Sequence, residues 1–203
     1  MFQEDLFDCG PEVFHLQDST LTLYRKFLCS ERADYLFHAI KEKVNWEQSD
    51  INIAGRTIPI PRLNAWYADK DKDYSYSGIK LPRHDWLEEL EEIRREIFDK
   101  CAQHFNSCLL NYYRDGNDSV SWHSDNEPEL GHNPLIASVS FGVERKFTIR
   151  KLHNHQDKLT IVLPHSSLFI MEGALQHLYE HQVPKEKKIS GGRLNLTFRN
   201  IKG

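Results

Sequence analysis

Nowhere in its 203 residues does the chain hold an apolar run of the roughly 18 residues that a membrane-crossing helix needs. Its start, Met1-Phe2-Gln3-Glu4-Asp5, lacks the basic and apolar blocks of a secretory leader. A cytoplasmic protein is therefore expected, nuclear if the source is eukaryotic. Cysteine is scarce. Cys9, Cys29, Cys101 and Cys108 form no C-x-x-C pair and match no zinc ribbon, so reduced thiols are the reading. A basic surplus is missing as well, since 26 Lys and Arg stand against 30 Asp and Glu. That excludes a global basic field holding the chain on nucleic acid, although a local patch would suffice. No repeat, low-complexity tract or Pro/Ser linker divides the sequence, so one domain over 1–203 is the default. A chain of this length buries a core without needing staples.

Histidine, by contrast, is abundant at eleven residues, and the question is which of them do chemistry. Residues 1–29 read as an irregular arm with short strands, for example 21–24. Ser30 is placed as an N-cap, followed by Ala33, Leu36, Phe37, Ile40 and Val44 at helical spacing. A second helix is expected from Asp85, with Glu88 completing a capping box. Its apolar stripe is Leu87, Leu90, Ile93, Ile97, Cys101 and Phe105. Glu89, Glu92, Arg95, Glu96 and Asp99 are expected on a face turned to water. Residues 46–82 are rich in aromatics, Pro and Gly, and Trp66, Tyr67, Tyr74 and Tyr76 look exposed there. After residue 107 the sequence predicts strands near 108–113, 120–124, 136–141, 146–151, 159–163, 167–171, 178–183 and 193–200, broken by turn residues. The class is α+β, mainly β: two helices ahead of a sandwich, jelly roll or barrel.

Three short runs carry chemistry. In Trp122-His123-Ser124-Asp125, strand alternation puts His123 and Asp125 on one face, where they can share a metal ion. A third ligand must come from elsewhere, with His165, His177 and His181 as the late candidates. Two histidines and a carboxylate on one face of iron leave positions open, as in non-haem Fe(II) oxygenases. In Arg193-Leu194-Asn195-Leu196-Thr197-Phe198-Arg199 the polar and apolar residues alternate strictly. An ordinary strand would put the polar face in water. On the concave side of a barrel, the two guanidinium groups would grip a dicarboxylate. The third run is Asn111-Tyr112-Tyr113, where Asn111 and Tyr113 share a face close to His123 in sequence.

Taken in this order, with PLIASVSF at 134–141 and His181-Gln182-Val183-Pro184, these runs resemble the AlkB family of Fe(II)- and 2-oxoglutarate-dependent dioxygenases, in its nucleic-acid repair branch. The resemblance implies a double-stranded β-helix, or jelly roll, over 107–201, with residues 46–82 as a nucleotide-recognition lid. It selects His181, just before the x-Val-Pro segment, to join His123 and Asp125 as catalytic iron ligands. It implies Arg193, helped by Tyr113 and Asn195, at the far carboxylate of 2-oxoglutarate, and Arg199 with Asn111 at the end near the metal. Co-substrates would be 2-oxoglutarate and O₂. The reaction would hydroxylate the N-methyl group of 1-methyladenine or 3-methylcytosine, and the product would shed formaldehyde.

Such a methyl group is hidden in a duplex, so the base must be flipped or the strand single. Tyr76 is expected to stack on the base, with His123 opposite. Tyr67, Tyr74 and Trp66 join it in the lid, Arg62 meets phosphate, and Glu127, two residues beyond Asp125, faces the base. Further phosphate contacts are assigned to Arg56, Arg83, Arg145, Lys146, Lys185, Lys187 and Lys188. Ile53-Ala54-Gly55 lies where duplex-preferring members carry a bulkier wedge, which favours single strands. The partners implied are alkylated DNA and, secondarily, RNA, met by a monomer with no membrane contact. The alternative is a 2-oxoglutarate oxygenase acting on a protein or small molecule.

Overall fold

A computed structural model describes residues 10–53, 55–70, 72, 75–76 and 79–202, with backbone alone for 53, 75, 76, 79 and 80. In chain order the elements are β1 (Glu12–Leu16), β2 (Ser19–Tyr24), α1 (Ser30–Lys43), β3 (Asp50–Ile53), β4 (Arg56–Pro59), β5 (Leu63–Ala68), β6 (Ser75–Tyr76), β7 (Ile79–Lys80), β8 (Arg83–His84) and α2 (Glu88–Cys101). Then follow β9 (Ser107–Tyr113), β10 (Val120–His123), β11 (Ile136–Gly142), β12 (Arg145–Lys151), β13 (Asn154–Leu163), β14 (Ser167–Gly173), α3 (Leu175–Leu178), β15 (Tyr179–Val183) and β16 (Arg193–Arg199). Two sheets face each other. The major sheet runs β1-β2-β14-β11-β16-β9-β5-β8, and the minor one runs β10-β15-β12-β13. All eight strands expected after residue 107 are present. This is the jelly roll.

The central strands of the major sheet are buried on both faces. Leu194, Leu196 and Phe198 of β16 point outward into a core with Leu36 and Ile40 of α1 and Leu90, Ile93 and Ile97 of α2. A second core fills the space between the sheets, with Tyr113, Ile136, Phe147, Ile149, Phe169 and Met171. All seven residues of β16 are buried. The polar face of β16 therefore looks into the barrel, not into water.

The sheet is wider than expected. β5 pairs with β9, Trp66 opposite Leu109 and Asn64 opposite Asn111, so residues 63–68 belong to the barrel wall rather than to a lid. Outside the two sheets stand the β3–β4 and β6–β7 hairpins. The β1–β2 hairpin extends the other edge through β14. The helix caps also differ from expectation. Ser30 is the first residue of α1, capped by Cys29, and α2 starts at Glu88 after Leu87. Neither cap makes a side-chain hydrogen bond. Asp85 is instead drawn to Arg83 Nη1 at 2.8 Å. Glu89, expected in water, is buried and pairs with Lys43 of α1, because the inter-helix seam passes over it.

Ile93 is fully buried between α2 and the sheet. Ile93→Ala is expected to cost about 2–5 kcal/mol of stability, read as a lowered urea midpoint with an unchanged slope.

Candidate active site

β10 and β15 are antiparallel neighbours, and His123 lies directly opposite His181 in their register. Their inward-facing rings must then lie side by side, and the centroids are 4.3 Å apart. Phe147 of β12 stacks on His181, with centroids 5.0 Å apart. His123 Nδ1 is 2.8 Å from the Ser121 carbonyl oxygen. A carbonyl only accepts, so Nδ1 carries the proton and Nε2 keeps its lone pair for the interior.

Asp125 reaches the same point by a different route from the one expected. β10 ends at His123, so alternation does not place the carboxylate. Two tethers do. The Asp125 backbone N–H donates to Gln176 Oε1 at 2.9 Å, and Arg199 Nη2 donates to Asp125 Oδ2 at 2.7 Å. Oδ1 is left buried with no hydrogen-bond partner among the described residues, 3.7 Å from His123 Nε2. One ligand atom from each of His123, Asp125 and His181 lies within 4.8 Å of the others.

Burial is the largest influence on Asp125 and acts to raise its pKa. The Arg199 guanidinium, followed by the two imidazoles, outweighs it and holds the carboxyl well below the usual carboxylate range. Burial, helped by the neighbouring His123, pushes His181 down to about 3. Burial also lowers His123. The site at neutral pH is two neutral imidazoles and one carboxylate, the protonation states a divalent metal ion needs. The buried, unsatisfied Oδ1 is the vertex such an ion would fill.

These three residues open onto one cavity. Asn111, Tyr113, Asn195, Thr197, Arg199 and Arg62 line it too. Arg193 does not. It is buried behind, its guanidinium carbon 5.3 Å from the Tyr113 ring centre. Arg193 Nη2 donates to Ser140 Oγ at 2.8 Å, while Nε and Nη1 are buried without a hydrogen-bond partner among the described residues. Burial lowers Arg193 to about 10, which still leaves it charged at neutral pH. Asn195 is tied down: Nδ2 donates to Ser138 Oγ and to the Val139 carbonyl, and Oδ1 accepts from Thr197. Both Nδ2 protons are used, which leaves none for a carboxylate.

On the substrate side the structure departs from several expectations. Trp66 and Tyr67 are buried, at 2% and 3% exposure, because they are sheet residues. Tyr67 faces the helices and Trp66 packs with Leu109, Leu130 and Ile201, so neither is an exposed lid aromatic. Arg62 is likewise buried and donates to Asn111 Oδ1 at 2.8 Å and to the Ser119 carbonyl at 3.3 Å. It faces the cavity instead of a phosphate track. Arg145, also assigned to phosphate, is 1% exposed and spends its donors on Glu186 and three backbone carbonyls. Glu127 lies past the end of β10, half-buried at the cap of a short turn over 128–130, and does not line the cavity. Tyr74 and the side chain of Tyr76 lie outside the described residues. His177 is exposed on α3, stacked with His132 at 5.1 Å.

Residues 20–199 match the family model of the 2OG-Fe(II) oxygenase superfamily. The mouse alpha-ketoglutarate-dependent dioxygenase alkB homolog 3 is 40% identical over 192 residues, covering 90% of this chain and 66% of that protein. Human DNA oxidative demethylase ALKBH2 is 32% identical over 207 residues, covering 95% and 78%. The chain belongs to the AlkB family of 2OG-Fe(II) oxygenases. It spans slightly less than two thirds of the length of the mouse homolog 3 protein. The solved structure of OsALKBH1 superposes with a TM-score of 0.62 at 19% identity, over 89% of this chain and 97% of that one, which speaks for the fold. Fe(II), 2-oxoglutarate and O₂ are thus the cofactor and co-substrates of this AlkB-family chain, and the His-Asp-His donor set fits the metal.

Gln176 was not foreseen. It sits in a four-residue helix between two strands, too short to leave a periodic signal, yet it fixes the Asp125 backbone. Phe147 was equally silent, one apolar residue in a strand.

His181 titrates near its ordinary 6.5 in the unfolded chain and near 3 in the folded one. The unfolded state therefore binds more protons in between, and the metal-free protein is expected to lose stability as pH falls from 6.5 toward 3. His181→Gln should flatten that slope, measured as urea midpoints against pH.

Proposed function

We propose that the chain is an oxidative demethylase of N-alkylated bases, 1-methyladenine and 3-methylcytosine, in DNA and secondarily in RNA. The observation that carries this reading is the meeting of His123, Asp125 and His181 with Arg199, Asn111 and Tyr113 on one buried cavity in a chain similar to proteins named as DNA oxidative demethylases. Held at this site, Fe(II) would supply, with O₂ and 2-oxoglutarate, the chemistry that hydroxylates an N-methyl carbon, succinate and CO₂ being the co-products. The hydroxymethyl group then breaks its C–N bond, giving the free base nitrogen and formaldehyde.

The residues divide the work by position. His123, through Nε2, His181 and Asp125, through Oδ1, would hold the metal. Arg199 keeps Asp125 ionised and turned so that Oδ1 faces inward. Arg193, buried beside Tyr113 at the back of the cavity, would be the partner of the far carboxylate of 2-oxoglutarate. Asn195, with its donors committed, braces β16 against β11 and so shapes the cavity floor. Arg62, joined to Asn111, brings a second guanidinium to the cavity. The β3–β4 and β6–β7 hairpins belong to neither large sheet, and this reading gives them the base-recognition role, with Tyr76 of β6 as the stacking residue. Cys29, Cys101 and Cys108 are free thiols, which suits a monomer working in the reducing cytoplasm or nucleus.

The test is an oligonucleotide carrying one 3-methylcytosine, followed by mass spectrometry. With Fe(II) and ascorbate supplied, it should lose one CH₂ in mass only when 2-oxoglutarate is also present, and not with His123→Ala. Succinate release without mass loss would move the substrate to a protein or small molecule. Arg193→Met should raise KM for 2-oxoglutarate roughly 10- to 100-fold, the scale of lost hydrogen bonds to a charged group. Steady-state kinetics at varied 2-oxoglutarate would show it.

A further inference from the structure

The outer face of the minor sheet carries a cluster that the chemistry does not use. Alternation turns His123 and His181 into the barrel, so their sequence neighbours Trp122 and Glu180 point out. On β12, Ile149 is buried and Arg150, paired directly with Glu180, points out with them. Arg150 Nε donates to Glu180 Oε1 at 2.6 Å, and Nη2 lies 2.5 Å from the same oxygen. The guanidinium carbon is 3.9 Å from the centre of the Trp122 ring. One side chain thus spans three strands, from β12 over β15 to β10. The Arg150 and Glu180 side chains are 18% and 17% exposed, so water screens the pair only partly.

β10 is the strand that needs such a hold. It lies at the edge of the minor sheet and is four residues long. Its pairing with β15 has two register points, Val120 with Val183 and His123 with His181, and the register shifts between them. The Ser121 carbonyl orients the His123 ring within β10, but a strand so loosely laddered has little backbone pairing to fix its own position against β15.

We propose that Arg150 is a positioning residue for the metal site: by gripping Trp122 and Glu180 from outside, it fixes β10 against β15 and sets the spacing of His123 from His181. This rests on the reading of His123, Asp125 and His181 as metal ligands. Arginine suits the task because its flat cation stacks on the indole while its edge meets the carboxylate. Lysine would keep the ion pair and lose most of the stacking.

The experiment is a Co(II) titration of the metal-free chain, followed by visible absorption of the bound ion, alongside the melting temperature of the metal-free form. The native chain should bind Co(II) and His123→Ala should not. A native chain that fails to bind would overturn the metal site itself, and the clasp with it. With native binding established, Arg150→Met is expected to weaken Co(II) affinity roughly tenfold, the scale for groups that orient metal ligands, with Arg150→Lys between. A purely structural role would lower the melting temperature and leave Co(II) affinity unchanged, and unchanged affinity overturns the proposal whatever the melting temperature does. Should Arg150→Met not fold, Trp122→Leu removes the stacked ring alone and is read the same way.

Discussion

One ion pair ties the two sheets together at the site. Arg199, at the end of the central strand of the major sheet, reaches Asp125, just past the edge strand of the minor one, and both side chains are at most 5% exposed. Either charge alone at this depth would cost several kcal/mol. Together they are tolerable, and the consequence is geometric. One carboxylate oxygen is consumed by the guanidinium, so the other can only face the two imidazoles. The Gln176 amide holds the Asp125 backbone and closes the remaining freedom. The direction of the metal vertex is therefore set before any metal arrives.

The same pair explains why β16 is polar along a face that never meets water. A strand whose seven residues are all buried would ordinarily be apolar on both sides. Here Leu194, Leu196 and Phe198 bind the helices to the sheet, while Asn195, Thr197 and Arg199 face the cavity. The helices are thus part of the site's construction. They cover the outer face of the sheet and leave the inner face to chemistry. Arg145 does comparable work at the far end. It gathers three backbone carbonyls and Glu186, and its guanidinium carbon lies 5.6 Å from the centre of the Tyr113 ring.

What the sequence made legible was whatever depends on period and spacing. The eight late strands, the alternation of 193–199 and the His-x-Asp pair are local patterns, and local patterns survive in one dimension. The position of β5 was not legible, because the strand it pairs with along its whole length, β9, lies about forty residues further on, and its other neighbour, β8, is only two residues long. An aromatic run such as Leu63–Ala68 reads as surface until β9 and β8 are placed on either side of it. Glu89 misled for the same reason: its helical phase says water, and only the approach of Lys43 from α1 makes burial tolerable. The structure brings Asp125 to His123 and His181, but not by the strand geometry expected for it. The convergence comes from long-range tethers instead.

Charge gives the last constraint. The cavity lining holds Arg62 and Arg199 against the single carboxylate of Asp125, and Arg193 lies buried close behind Tyr113. Neutral imidazoles add nothing. A divalent cation placed at the His-Asp-His vertex would leave the interior strongly positive in a region that little water reaches. Such a surplus is unstable unless an anion enters, and Arg193 still offers two unsatisfied donors. A dicarboxylate would answer both needs, one end toward the metal and the other toward Arg193. Under the proposed reading, metal would raise affinity for the dianion, and the dianion would raise affinity for metal. A base entering the cavity, as proposed, would meet an Arg62 already committed to Asn111 and Ser119. Its recognition would then come from shape and stacking rather than from free positive charge.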